Sequence, residues 1–154
     1  MRAGEGAEIA IIGGTGFEEI LEGAVEVRIG TPYGLPPRLV IGELSGRKVA
    51  LLARHGPRHE LPPHKVNYRA NIWALKALGV TRILATNAVG AINPELKPGD
   101  LVVPHDILDF TRSRAQTFYE GPEVVHVDVT EPFCPELRTI LVRVARTRYG
   151  RVHD

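Results

Sequence analysis

Short apolar runs, each closed by glycine, proline or small polar residues, dominate the first half of the chain. Residues 49–53 (VALLA) are continuously apolar, which predicts a strand buried on both faces rather than one alternating between core and water. Residues 8–12 (EIAII), 25–29, 38–43 and 82–86 (RILAT) predict further strands, and Ser45-Gly46 predicts a hairpin turn into 48–53. Helical spacing takes over from around His64–Asn67 to Leu78. Val66, Ala70, Trp73, Ala74 and Ala77 share a face there, and Gly79 supplies the stop. Trp73 is read as packing. Residues 101–103 predict another buried strand after the Pro98-Gly99 turn. Residues 111–121 show no period and read as a loop. Residues 137–149 predict a last helix with Leu137, Ile140, Leu141, Val144 and Ala145 on its apolar face. The alternation of strands and helices is that of an α/β fold, and no repeat or linker divides residues 1–154, which read as one domain.

Three of the predicted strands end in groups suited to an anion. Arg54 and His55 follow the 49–53 strand directly, then Gly56-Pro57 turn the chain and Arg58, His59, His64 and Lys65 follow. In an open α/β sheet ligands sit beyond the carboxyl ends of the strands, and a forked guanidinium beside an imidazole suits an oxyanion. Gly13-Gly14-Thr15-Gly16 closes the first strand, offering backbone N–H groups and a hydroxyl. Asn87-Ala88-Val89-Gly90-Ala91 closes the 82–86 strand with a small, neutral loop that a phosphate or sugar approaches without steric obstruction.

Composition narrows the picture. With 44% hydrophobic and 24% charged residues over 154 positions the chain has the balance of a soluble globular domain. A formal net charge of +1 gives no field of the kind nucleic-acid binding needs, so the basic loop is a local feature. One cysteine, Cys134, excludes an internal disulfide and is read as a buried, unreactive thiol. No membrane-length apolar run or signal peptide is visible, and a cytoplasmic location is expected. Gly14-Thr15-Gly16 fails as a dinucleotide fingerprint, because Glu19 stands where its third glycine belongs. His55, His59 and His64 lack metal-ligand spacing and share their loop with Arg54, Arg58 and Lys65, so no metal is expected.

IIGGTG at 11–16, ARHG at 53–56, HKVNYRANIWALKALG at 64–79, TNAVGAIN at 86–93, KPGDLVVP at 97–104 and EPFCP at 131–135 together resemble the trimeric purine nucleoside phosphorylases, and among them the methylthioadenosine phosphorylase branch. The likeness runs in consistent order from about residue 9 to the end. It implies the amino-terminal part of a phosphorylase-type fold, a mixed central sheet flanked by helices. It implies phosphorolysis of a purine nucleoside, either methylthioadenosine or a 6-oxopurine nucleoside such as methylthioinosine or inosine, to a free base and a pentose 1-phosphate in purine salvage. Orthophosphate is then a co-substrate and no cofactor is required. By position, the resemblance makes Arg54 and His55 the catalytic phosphate clamp, with Thr15, Asn87 and Ala88 as further phosphate ligands. It puts Val89 and Gly90 along the purine and sugar pocket and brings His126 across a trimer interface to the sugar 5′ end. Partners other than nucleoside, phosphate and like subunits, namely nucleic acid or membrane, are not implied.

Members of that family continue past the point corresponding to Asp154 with a Glu-Gly-Pro-Arg-Phe segment, further strands and an Asp- or Asn-bearing loop that contacts the purine. The sequence therefore reads as a carboxyl-terminally truncated domain with exposed apolar edges. An inactive fragment that keeps only phosphate-binding or interface elements is the alternative expectation.

Overall fold

The computed structural model describes residues 6–13 and 18–154. It forms two compact units. The first comprises the described residues of Met1–Ala88 with Ser113–Phe118, and the second comprises Val89–Arg112 with Tyr119–Asp154.

The first unit is built on a five-stranded mixed sheet. In chain order its elements are β1 (Ile9–Gly13), a 3-10 turn (Glu18–Ile20), β2 (Glu22–Val27), β3 (Leu39–Leu44), β4 (Arg47–Ala53), a 3-10 turn (Pro63–Lys65), helix α1 (Tyr68–Ala77) and β5 (Arg82–Ala85). The sheet order is β2-β3-β4-β1-β5, with β1 parallel to both β4 and β5 and the β2-β3-β4 portion antiparallel. The β3–β4 hairpin turns at Ser45 and Gly46, both left-handed (φ 51° and 74°), the geometry that matches the twist of the paired strands.

β4 sits third of five, and its residues Val49–Ala53 are all buried, as the unbroken apolar run predicts. Alternation along the strand feeds two clusters. Ala50 and Leu52 pack with Ala10, Leu39 and the helical Ala74, Leu75 and Leu78, while Val49 and Leu51 pack with Leu21 and Val40. Ala10, Ala50, Ala70 and Ala74 are fully buried, and small side chains are what allow a helix to approach a sheet closely.

Helix α1 begins later than its periodicity predicts. Asn67 takes the N-cap position, its side-chain oxygen accepting from Ala70 N–H at 3.1 Å while its Nδ2 donates to Tyr33 O at 2.6 Å. The helix ends as expected at left-handed Gly79 (φ 85°). Trp73 corrects its reading: it lies on the outer side of the helix at 36% exposure, while Ala70 and Ala74 of the predicted face are buried together with Asn71 and Leu75. β2 also begins earlier than expected, because a register shift at left-handed Gly23 (φ 60°) lets the strand start at Glu22. Segment 113–118 belongs with this unit. Phe118 meets the Tyr33 ring edge-on at 5.4 Å, Arg69 donates to Thr117 O at 3.3 Å, and the Arg114 guanidinium lies 5.5 Å from the Tyr68 ring centre.

The second unit holds β6 (Leu101–Val102), α2 (Pro135–Arg148) and β7 (Val152–His153), with β6 and β7 parallel. Three expectations are corrected here. β6 is a strand but not a buried one, Leu101 and Val102 being 37% and 51% exposed; a three-residue apolar run specifies extension without specifying a cover. The predicted apolar face of α2 is not buried either, with Ile140, Leu141 and Val144 all counted among exposed side chains. Cys134 is exposed because it caps the entry to α2 ahead of Pro135. What holds the unit is polar. The nearly buried Asp100 carboxylate accepts from Arg151 Nε at 2.6 Å, Arg151 Nη2 at 3.1 Å and Lys97 N–H at 2.9 Å, and faces His153 Nε2 at 3.0 Å. Among the described residues no helix is long and apolar enough to cross a membrane.

Candidate active site

Parallel pairing on both sides of β1 brings three strand ends together. Gly13 is in register with Ala53 of β4, and Ile12 with Ala85 of β5. Both ladders run one residue into the loops, since Arg54 N–H donates to Gly13 O at 3.3 Å and Thr86 N–H to Ile12 O at 3.0 Å. The Arg54-His55 pair and the Thr86-Asn87-Ala88 turn therefore leave the same edge of the sheet from either side of β1, as expected for a site beyond the carboxyl ends of strands.

Arg54 spans that gap. Its Nη1 donates to Thr86 O at 2.6 Å and its Nε donates to His55 Nε2 at 3.1 Å. His55 is 9% exposed, and its Nδ1 lies 2.7 Å from Leu61 O. A carbonyl only accepts, so Nδ1 carries the ring proton; Nε2 then offers its lone pair to Arg54. The His59 ring stacks on His55 with centres 4.6 Å apart and planes 27° from parallel. Asn87 and Ala88 are exposed, so the turn beside Arg54 is open to a ligand. Arg58 and His64 are exposed too, in keeping with a solvated role.

Of the other sequence-predicted residues, Thr15 lies outside the described residues. Val89, Gly90 and His126 belong to the second unit and are exposed within it. A β-carbon on Gly90 would meet no atom within 4 Å, so that loop too is sterically open. Sequence reasoning missed the two backbone carbonyls, Thr86 O and Leu61 O, that orient the pair; a carbonyl carries no residue-type signal. It also missed Glu60, whose carboxylate accepts Arg58 N–H at 2.8 Å inside the basic loop. A cavity of about 730 Å³ in the first unit lies elsewhere, between β2, β3 and Leu78. It shares no residue with the strand-end cluster. Among the described residues no group of histidine, cysteine and carboxylate side chains is arranged to hold a metal.

An arginine–imidazole pair thus lies at the ends of the parallel strands β4, β1 and β5, next to a small-residue loop. The chain belongs to the Phosphorylase superfamily, whose family model matches residues 8–154. Within it, the chain is 53% identical over 153 residues to S-methyl-5′-thioadenosine phosphorylase of Thermofilum pendens, a match covering 97% of this chain and 58% of that protein. It is 57% identical over 136 residues to a probable S-methyl-5′-thioinosine phosphorylase of Methanothermobacter thermautotrophicus, covering 86% of this chain and 48% of the relative. A methylthioadenosine phosphorylase crystal structure from an antarctic soil metagenomic library superposes with a TM-score of 0.92 at 44% identity, over 97% of this chain and 54% of that one. The chain thus spans between about half and three-fifths of the length of the relatives it matches.

Proposed function

We propose that the chain carries the phosphate- and sugar-side residues of a purine nucleoside phosphorylase, acting on methylthioadenosine or on 6-oxopurine nucleosides such as methylthioinosine and inosine. The observation that carries this is Arg54 reaching across β1 to Thr86 O with His55 held beside it. In the reaction an orthophosphate oxygen attacks C1′, the C1′–N9 bond breaks, and its electron pair leaves with the purine, which takes up a proton. The transition state is a sugar cation between two anions, so the protein's contribution is to fix the phosphate and stabilise the departing base.

Arg54 and His55 serve the first task, with Thr15, Asn87 and Ala88 completing the phosphate cradle. An arriving phosphate oxygen competes with Thr86 O for the guanidinium and gains the stronger, charge-assisted bond. Once Arg54 has turned towards the anion, His55 Nε2, the lone-pair nitrogen of the ring, accepts from a protonated phosphate oxygen. Val89 and Gly90 line the sugar and purine side, and His126 reaches the 5′ substituent of a neighbouring subunit's ligand in a homotrimer. In this reading no metal or organic cofactor is needed and the protein works in the cytoplasm. A methylthioadenosine phosphorylase and a probable methylthioinosine phosphorylase are both among the similar proteins, and the reading includes both bases.

A second reading rests on the strand-end cluster alone: the chain binds phosphate and does not turn over. Base release from methylthioadenosine, methylthioinosine and inosine, with and without phosphate, separates the two. Phosphate-dependent release is the expected result. Phosphate binding without release from any of the three establishes the second reading, and release indifferent to phosphate overturns both.

A further inference from the structure

The loop that carries Arg54 and His55 closes on itself. Leu61 N–H donates to His55 O at 2.9 Å, and His55 Nδ1–H returns the bond to Leu61 O at 2.7 Å. Inside this ring Gly56 and His59 are both left-handed (φ 80° and 58°), and His59 N–H donates to Gly56 O at 3.1 Å. A histidine in that conformation needs support from its neighbours. The support visible here is Glu60. Although Glu60 is exposed, its carboxylate folds back to accept Arg58 N–H at 2.8 Å, and its carboxyl carbon lies 2.5 Å from where a β-carbon on Gly56 would stand.

We infer that Glu60 is a positioning residue for the His55–Arg54 pair. Its carboxylate occupies the space that glycine at position 56 leaves, and pins the Arg58–Glu60 backbone. Two consequences reach the site. The left-handed turn at His59 presents that ring to His55, and the chain direction after Glu60 aims Leu61 O at Nδ1. Since Nδ1 must then hold the proton, Nε2 is kept as the acceptor that orients Arg54. Glu60 touches neither phosphate nor sugar in this role, and its importance for phosphate rests on the function proposed above.

The test uses the 154-residue chain with Glu60→Gln, Glu60→Ala and Glu60→Asp. The nitrogen NMR shifts of the His55 ring report its tautomer without any need for turnover. Wild type and Glu60→Gln, which keeps an acceptor in reach, are expected to hold the Nδ1–H form. Glu60→Ala is expected to shift towards the Nε2–H form and to lose the ring-current signature of the His59 stack. Orthophosphate titration is the second readout. Losing one orienting hydrogen bond predicts roughly tenfold weaker binding in Glu60→Ala, with Glu60→Gln near wild type. Glu60→Asp retains the charge but withdraws the carboxylate by one methylene, so it follows the alanine variant in tautomer and keeps the test decisive should that variant not fold. A tautomer shift in chains that never bind phosphate supports the inference while counting against the proposed function. An unchanged tautomer and stack in Glu60→Ala, or in Glu60→Asp where the alanine chain does not fold, overturns it.

Discussion

Arg54 is a fork whose Nε and Nη1 are used in different directions, one to His55 Nε2 and one to Thr86 O. An ammonium on a flexible stem cannot reproduce that pair of directions. Arg54→Ala is expected to lower phosphate-dependent turnover by about 2 to 4 kcal/mol of transition-state stabilisation, and Arg54→Lys to recover only a minor part. Steady-state rates at varied phosphate check this; phosphate dependence equal to wild type in the alanine variant would remove Arg54 from the clamp. At this scale the sequence was legible where chemistry resides in side chains: arginine and histidine next to an unbroken apolar run announced a strand end with that pair just beyond it. It was silent where chemistry resides in the backbone, since nothing in the letters Thr86 and Leu61 marks their carbonyls as the anchors. Cys134 was misread for a related reason. Burial is a common fate for cysteine, but position at a helix entry overrode it.

Among the elements, those with a strong local signal were read almost to the residue, β4 from its continuous hydrophobicity and the β3–β4 hairpin from Ser45-Gly46. Those whose character depends on what covers them were not: β6 and the apolar face of α2 have the composition of buried elements and are exposed, and two-residue β7 is too short to show any period. The start of α1 was displaced because capping, not periodicity, decides it. Asn67 both caps the helix and ties it to Tyr33 O, so Asn67→Ala is expected to destabilise the first unit by about 1 to 2 kcal/mol, measured by denaturant unfolding. Asn67→Asp, which keeps the cap and loses the Nδ2 donor, should fall between.

The β6–β7 pair depends on Asp100 in a way that pH reveals. Chiefly the Arg151 side-chain hydrogen bond, then that from Lys97 N–H, hold its carboxyl well below the usual carboxylate range against desolvation, with the His153 hydrogen bond and the Arg151 charge adding to the effect. A carboxylate whose native pKa is depressed stabilises the fold fully above its unfolded value near 3.8, and that contribution is lost as pH falls from there towards the native value. Hydrogen exchange of β6 and β7 amides followed between neutral pH and strongly acidic conditions should show protection falling below about pH 4. Asp100→Asn should lower that protection at neutral pH and flatten its acid dependence, while β1 and β4 amides keep theirs. A wild-type acid profile in the Asn variant would mean that another carboxylate carries the effect.

For the whole molecule, a ligand that binds the native form alone raises its stability by mass action, whether or not any bond is broken. If the strand-end cluster of the first unit is the phosphate site, orthophosphate at about a hundred times its dissociation constant should raise unfolding free energy by about 2.7 kcal/mol. The increase should appear in amides of β1, β4 and β5, whose ends meet at Arg54, and not in β6 or β7, which are tied through Asp100. Arg54→Ala should abolish it while leaving stability without phosphate nearly unchanged, because the guanidinium works at the sheet edge and not in the apolar clusters. Sulfate, with the same shape but no hydroxyl to donate to His55 Nε2, should give a smaller increase, whereas sodium chloride at equal ionic strength should give none. Stabilisation that persists in Arg54→Ala, or that spreads equally over both units, would mark a general salt effect and dissolve the link between the sheet edge and the anion.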